Sequence, residues 1–401
     1  MDTASPSDSI FLQKISFLEF ARCCAIEDGG GSVSSTLPQP CNYLFELLAW
    51  HNLLGIANPV LSNRNLPASQ REFRDRILSG ESDRVERLKN KWKQLSEFLD
   101  SLGVEYIPIK GISHLQKIYR GEPRNMGDID VIFPTESVPQ VLQELYKKWQ
   151  GVPESYRADA ARFRWHRNLV PIEDFSVDST PLGRMPVYFK DFALDLHWSP
   201  TYGSGITSIR LPNHKLFECS ERWPEMGALA RSLRPETELA FGLLHAATSE
   251  HKIMLHVVDL VRQSKRYGVR PEVAAQDWYD PQIVPGVRET LEMIDFLASP
   301  NTDLRELATH RSMVPYFGSQ ERYPELLRAK PSDDEIQTPV LFYYRRACAQ
   351  RSWRARFAYV LGFLIPSPEY YPEQKLVVRV VWFYSRWFLS CARGVKRLFL
   401  G

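Results

Sequence analysis

The chain has 401 residues, of which 44% are apolar and 24% charged, with a formal net charge of +2. That length exceeds one small domain, and the apolar content supports packed cores, so two or three modules sharing contacts are expected. The near-neutral balance removes the usual electrostatic argument for nucleic acid, which is not expected as a partner.

Six cysteines (Cys23, Cys24, Cys41, Cys219, Cys348 and Cys391) are scattered without a C-x-x-C pair, so no zinc site is implied. The opening run MDTASPSDSIFLQ has no basic segment leading into an apolar one. No run of 18 or more uncharged apolar residues occurs either, which excludes an obvious membrane span. The compartment expected from these features is reducing and cytoplasmic.

In chain order, residues 1–8 read as a tail and 9–26 as a helix. A Gly/Ser/Pro-rich loop at 28–40 precedes a helix over 42–56. A long amphipathic helix covers 69–101, with a possible break at Gly80 and an apolar face of Ile77, Val85, Leu88, Trp92, Leu95 and Phe98. The period then changes. Residues 104–109 (VEYIPI) read as a strand ended by Gly111, 112–120 as a helix, 121–127 as a turn-rich loop, and 128–133 as a second strand. A helix is expected at 136–149, weakly signalled strands over 150–190, and a clear strand at 192–198 (FALDLHW). From 212 the pattern is helical, with the best segments at 236–247 and 252–267. Residues 276–290, with Pro281 and Pro285, read as loop leading into a helix at 287–298, and 300–340 is punctuated by prolines. The expected modules are a helical region (1–101), an α/β core (102–211), a helical domain (212–340) and a basic helical tail (341–401).

The chemistry centres on MGDIDVIF. In a strand, side chains alternate, so Asp128 and Asp130 share one face while Ile129 and Val131 take the other. Two such carboxylates repel unless a cation neutralises them or one stays protonated. Mg²⁺ prefers hard oxygen ligands and is commonly shared between carboxylates and phosphate oxygens, so the pair is a candidate metal site; the bland alternative is a solvated sheet edge. Upstream, Gly111 permits a close backbone approach at a strand-to-helix turn, and Lys110 and Ser113 offer a charge and a hydroxyl to an anion. Arg124 either binds a phosphate or pairs with the acids. Asp195, an acid within the apolar strand FALDLHWS, needs a partner and is a candidate third metal ligand and general base.

The runs LGVEYIPIKGISHLQKIY, EPRNMGDIDVIF and ALDLHW, in that order, resemble the uncharacterised nucleotidyltransferase family of the polymerase-β-like superfamily. The matching positions are Lys110, Gly111, Tyr119, Arg124, Asp128, Asp130, Asp195, His197 and Trp198, with a looser match over 236–262 that ends at Asp259 and Leu260. The resemblance implies an α+β fold: a small mixed sheet flanked by helices, with helical N- and C-terminal regions. It implies an enzyme that holds Mg²⁺ (or Mn²⁺) on Asp128, Asp130 and Asp195. Such an enzyme would transfer a nucleotidyl group from a nucleoside triphosphate such as ATP to an acceptor hydroxyl of a small molecule, peptide or protein, releasing pyrophosphate. Gly111 lies seventeen residues before Asp128, further than is usual in the superfamily. A non-catalytic interaction module and a toxin–antitoxin component that modifies tRNA or protein therefore stay open as alternatives.

His245, His251 and His256 lack the i, i+4 spacing of helical metal ligands; His245 is either a substrate contact or a packed histidine. His197, two residues after Asp195, shares its strand face and is a candidate contact to substrate or metal, whereas Trp198 points to the core. Asp259 reads as a cap or salt-bridge partner. In the tail, Arg379, Arg386 and Arg393 recur every seven residues among aromatics. Residues 375–400 therefore form either a helix docked on the body or a peripheral contact to an anionic membrane face.

Overall fold

A computed structural model describes residues 6–26, 42–62, 66–120, 122–153, 183–202, 209–249, 253–281, 284, 286–299 and 303–309. The loop at 28–40, the expected strands within 154–182, His251 and the tail at 341–401 lie outside the described residues. The chain divides into two compact units, Met1–Tyr202 with Arg210–Glu321, and Gly203–Ile209 with Arg322–Gly401; the account below concerns the first.

A mixed five-stranded sheet forms its centre. The strands are β1 (Ile107–Ile109), β2 (Ile129–Ile132), β3 (Val152–Pro153), β4 (Arg184–Tyr188) and β5 (Ala193–His197). Their order across the sheet is β1-β2-β5-β4-β3. β2 and β5 run parallel, with Asp130 beside Asp195, and the other three pairings are antiparallel. β1 is shorter than its expected span, and β2 begins at Ile129, so Asp128 sits immediately before the strand.

Alternation along β2 and β5 divides the sheet into two chemistries. Ile129, Val131, Leu194 and Leu196 are completely buried. They join Trp92, Leu95 and Leu99 of α4 (Ala68–Ser101) and Val141, Leu142 and Leu145 of α6 (Val138–Trp149) in one apolar core. Each such side chain contributes about 1.5–3 kcal/mol on burial. Trp198 lies in this core as expected. The alternate positions Asp130, Asp195 and His197 form the opposite, polar face.

Several elements differ from the sequence expectation. α4 runs unbroken through Gly80, which is exposed with nothing nearby. A helical glycine there costs about 1 kcal/mol relative to alanine, and the buried seam from Val85 to Leu99 offsets it. The helix expected over 42–56 is two helices, α2 (Asn42–Trp50) and α3 (Leu54–Ser62). They divide at Asn52, whose φ of 58° is left-handed, a conformation asparagine tolerates. The helix expected at 112–120 is a short α5 (Lys110–His114) followed by a π-helical turn, Leu115–Tyr119, which ends at left-handed Arg120.

Past residue 212, the helix α7 (Asn213–Glu218) is followed by a hairpin of Ser220–Arg222 with Arg231–Leu233, where only helix was expected. Asp100 at the end of α4 holds its turn by accepting the N–H groups of Ala228 (2.8 Å) and Leu229 (2.9 Å), a long-range tie that local pattern does not reveal. The expected helices become α8 (Pro235–Thr248), α9 (Met254–Tyr267) and α11 (Val287–Ala298). Between them α10 (Pro271–Gln276) was not anticipated, and α12 (Leu304–Thr309) falls in the proline-punctuated stretch. α1 (Pro6–Ile26) packs on α9 and α11.

A buried polar network fixes α5 and the π turn to α8 and α9. Asp259 of α9 takes Arg124 in a two-pronged ion pair, Nε–Oδ1 3.1 Å and Nη2–Oδ2 2.6 Å. It also accepts the Tyr119 hydroxyl at 2.6 Å and lies 3.2 Å from His114 Nδ1. Glu238 of α8 accepts Ser113 Oγ at 2.9 Å and Lys117 Nζ at 2.7 Å. Burial opposes ionisation of Asp259, but the Arg124 charge outweighs it and holds the carboxyl well below its usual range. The loop 122–128, which carries Asp128, therefore hangs from a buried guanidinium.

Two outcomes follow from this packing. A Cβ at Gly111 would stand 2.9 Å from Met126 Cβ, so Gly111→Ala is expected to cost about 1–3 kcal/mol by overpacking. Chemical denaturation measures this, and an unchanged midpoint would refute the close packing. Asp259→Asn leaves Arg124 buried without its counter-charge, for which about 3–5 kcal/mol is lost. A loss in denaturation below about 1 kcal/mol, the range of an exposed ion pair, would show that the pair does not hold the loop.

Candidate functional site

The parallel register of β2 and β5 sets Asp130 directly beside Asp195, and His197 follows two residues on. Their side-chain exposures are 5%, 10% and 2%. One ligand atom from each of the three lies within 4.8 Å of the others, a grouping able to hold a metal ion. His197 Nε2 bridges the acids, 3.0 Å from Asp130 Oδ1 and 3.3 Å from Asp195 Oδ2.

β1 supplies the fourth component. Ile109 pairs with Asp130, so Lys110, the next residue, emerges beside it in a left-handed conformation (φ 51°). Its Nζ donates to Asp130 Oδ1 at 2.6 Å. A non-glycine residue held at positive φ is locally strained, and here the strain turns an ammonium onto the acid.

Asp128 stands at the exposed rim before β2. The Asp130 charge, followed by burial, pushes its carboxyl from 3.8 up to about 7. Because the residue is exposed, repulsion is the cause that carries weight. For Asp130 burial acts in the raising direction, but Lys110 and the hydrogen bond from His197 outweigh it and hold the carboxyl well below its usual range. Asp195 is likewise lowered, with burial opposed chiefly by His197. Burial would lower His197, yet Asp195 and Asp130 together raise it, so the imidazole favours its charged form. One oxygen, Asp195 Oδ1, is buried without a hydrogen-bond partner, as is His197 Nδ1.

The structure thus gathers Lys110, Asp128, Asp130, Asp195 and His197 of the residues selected from the sequence. His245 of α8 joins them at the edge. Burial first, then the Lys110 charge, holds its imidazole well below the usual value. It packs against His256 with ring centroids 4.7 Å apart, and burial pushes His256 down to about 4. Both rings are neutral near pH 7.

Three candidates are placed elsewhere. Arg124, read as a phosphate contact or a partner of the strand acids, is paired with Asp259. Ser113 donates to Glu238 rather than toward the acids, and the space beside Gly111 is filled by Met126 and Arg124. Asp259 is a salt-bridge partner, as its position suggested. Sequence reading missed Glu238, Lys117, His114 and the Tyr119 hydroxyl as members of one network. The Ser113–Glu238 and Tyr119–Asp259 bonds span 125 and 140 residues, and no local spacing signals such pairs.

No helix among the described residues is long and apolar enough to cross a membrane. No curated protein sequence matches the chain. A family model described as "Uncharacterised nucleotidyltransferase" matches residues 39–275, a span that contains the whole sheet, the acid cluster and the Arg124–Asp259 pair. With more than half of its length matched and its acids on adjacent strands of a mixed sheet, the chain belongs to this nucleotidyltransferase family.

Proposed function

We propose that this protein is a metal-dependent nucleotidyltransferase that moves a nucleotidyl group from a nucleoside triphosphate to an acceptor hydroxyl and releases pyrophosphate. The observation that carries the reading is the parallel register that sets Asp130 against Asp195, with Asp128 at the rim. The donor set fits Mg²⁺ or Mn²⁺: hard carboxylate oxygens on neighbouring strands, one of them, Asp195 Oδ1, buried with no hydrogen bond. Bound by Asp128, Asp130 and Asp195, divalent ions supply charge stabilisation to the attacking and leaving oxygens of the displacement.

The chain's own residues do the rest. Lys110, whose Nζ lies 2.6 Å from Asp130 Oδ1, would supply the positive charge that neutralises triphosphate oxygens beside the acids. Asp195 orients the acceptor hydroxyl and receives its proton at Oδ2, the oxygen not assigned to the metal. His197 holds Asp130 and Asp195 in register through Nε2. Neutral His245 offers a ring nitrogen to the substrate without adding charge. The membrane contact considered for residues 375–400 is no part of this mechanism.

Magnesium-dependent triphosphate binding, read by calorimetry, is expected in the wild type and lost in Asp128→Ala and in Asp130→Ala. Binding unchanged in both variants refutes the reading. Incubation with each radiolabelled triphosphate then identifies the base and shows whether label enters a small molecule, protein or RNA.

The Asp128 carboxyl has a pH signature of its own in chelated buffer. Its folded pKa, about 7, lies above the ordinary 3.8. The stability linked to its protonation is full below 3.8 and is lost as pH rises through about 7. Asp128→Asn is therefore expected to raise the thermal midpoint over wild type at pH 8 and to lose that advantage at pH 5. A variant less stable than wild type at pH 8 contradicts the repulsion.

A further inference from the structure

One cleft among the described residues is lined by none of the strand acids. It opens between α3, α4 and the loop 122–125 and encloses about 210 Å³, room for many waters rather than a bare ion. Two acceptor oxygens on its wall are buried without a hydrogen-bond partner. Asn125, only 7% exposed, gives its amide N–H groups to Asn52 Oδ1 (2.7 Å) and Glu81 Oε1 (3.2 Å). Its own Oδ1 is buried with no hydrogen-bond partner, and so is Glu81 Oε2.

The cationic side chains on this wall are already engaged. Arg124 is held by Asp259, and Lys89 stays at the exposed rim against Glu86 at 3.7 Å. The carboxylate of Glu122 is taken by Arg262 at 2.8 Å. Burial pushes the Glu81 carboxyl up to about 7 against the opposing Arg84 charge and the Gly55 backbone. A buried acceptor pair of this kind is costly to leave unsatisfied, and a ligand that donates hydrogen bonds and carries positive charge satisfies both oxygens at once.

We infer that this cleft binds a small organic cation through a primary ammonium group held between Glu81 Oε2 and Asn125 Oδ1, with the hydroxyl of Ser82 at its rim. The site is separate from the strand acids and does not depend on nucleotidyl transfer.

The test uses the full chain in calorimetric titration with 1,4-diaminobutane, 1,4-butanediol and KCl at constant ionic strength. Saturable binding is expected for the diamine alone. Glu81→Gln is expected to weaken it at least tenfold, and Glu97→Gln, an exposed acid elsewhere on α4, to leave it unchanged. Ser82→Lys, on an exposed helical position, places a tethered ammonium at the cleft and is expected to abolish diamine binding even if Glu81→Gln fails to fold. No diamine binding, equal binding of the diol, an identical response to K⁺, or full binding in Ser82→Lys overturns the inference.

Discussion

The structure turns on one register. Because β2 and β5 run parallel with Asp130 beside Asp195, two carboxylates are forced together on a largely buried face. Like charges at that separation cannot simply coexist in a poorly solvated site. Every neighbouring group answers that constraint. Lys110 leaves β1 in a strained left-handed turn to reach Asp130, and His197 inserts between the acids. Asp128, at the rim, holds its proton into the neutral range.

The same constraint explains the helical layers around the sheet. α5 and the π turn carry Lys110 toward the acids at one end, and Ser113, Lys117 and Tyr119 toward Glu238 and Asp259 along their length. One strand-to-helix turn thus serves two buried charge clusters. A π turn widens a helix locally and re-aims its side chains; here it lets Tyr119 and Lys117 address different helices. Arg124 adds the loop before Asp128 to the same network, so placement of the rim acid depends on a contact made by α9.

Much of the site was legible because strand alternation is local. The spacing of Asp128 and Asp130, the lone acid in FALDLHWS and the Lys-Gly turn each sit within a few residues of the pattern that reveals them. The α4 seam from Val85 to Leu99 was legible from helical periodicity, which is equally local, whereas the mixed sheet was expected only through the family resemblance. What escaped was set by distance. Arg124 offered two roles from sequence, and neither the phosphate nor the strand acids takes it, because its partner lies 135 residues later. Ser113 reads as a free hydroxyl until Glu238 arrives from α8. The break at Asn52 and the hairpin after α7 depend on a left-handed residue and on Asp100, signals too small to outweigh a helical pattern.

A cluster of this kind is poor economy for stability alone. Breaking a buried ion pair is damaging, yet well-packed apolar residues of similar volume usually serve a core as well or better. The apolar face of the sheet, with Leu194, Leu196 and Val131 wholly buried, already shows how this chain builds a core. Repeating that solution on the other face would need neither a strained Lys110 nor an unbonded Asp195 oxygen. Unsatisfied or strained groups in an otherwise consistent fold mark places where something other than folding set the residues. Lys110 at the end of β1 and Asp195 on β5 converge on Asp130 from either side of β2, and that convergence, more than the acid spacing by itself, marks this polar face as a site rather than a second core.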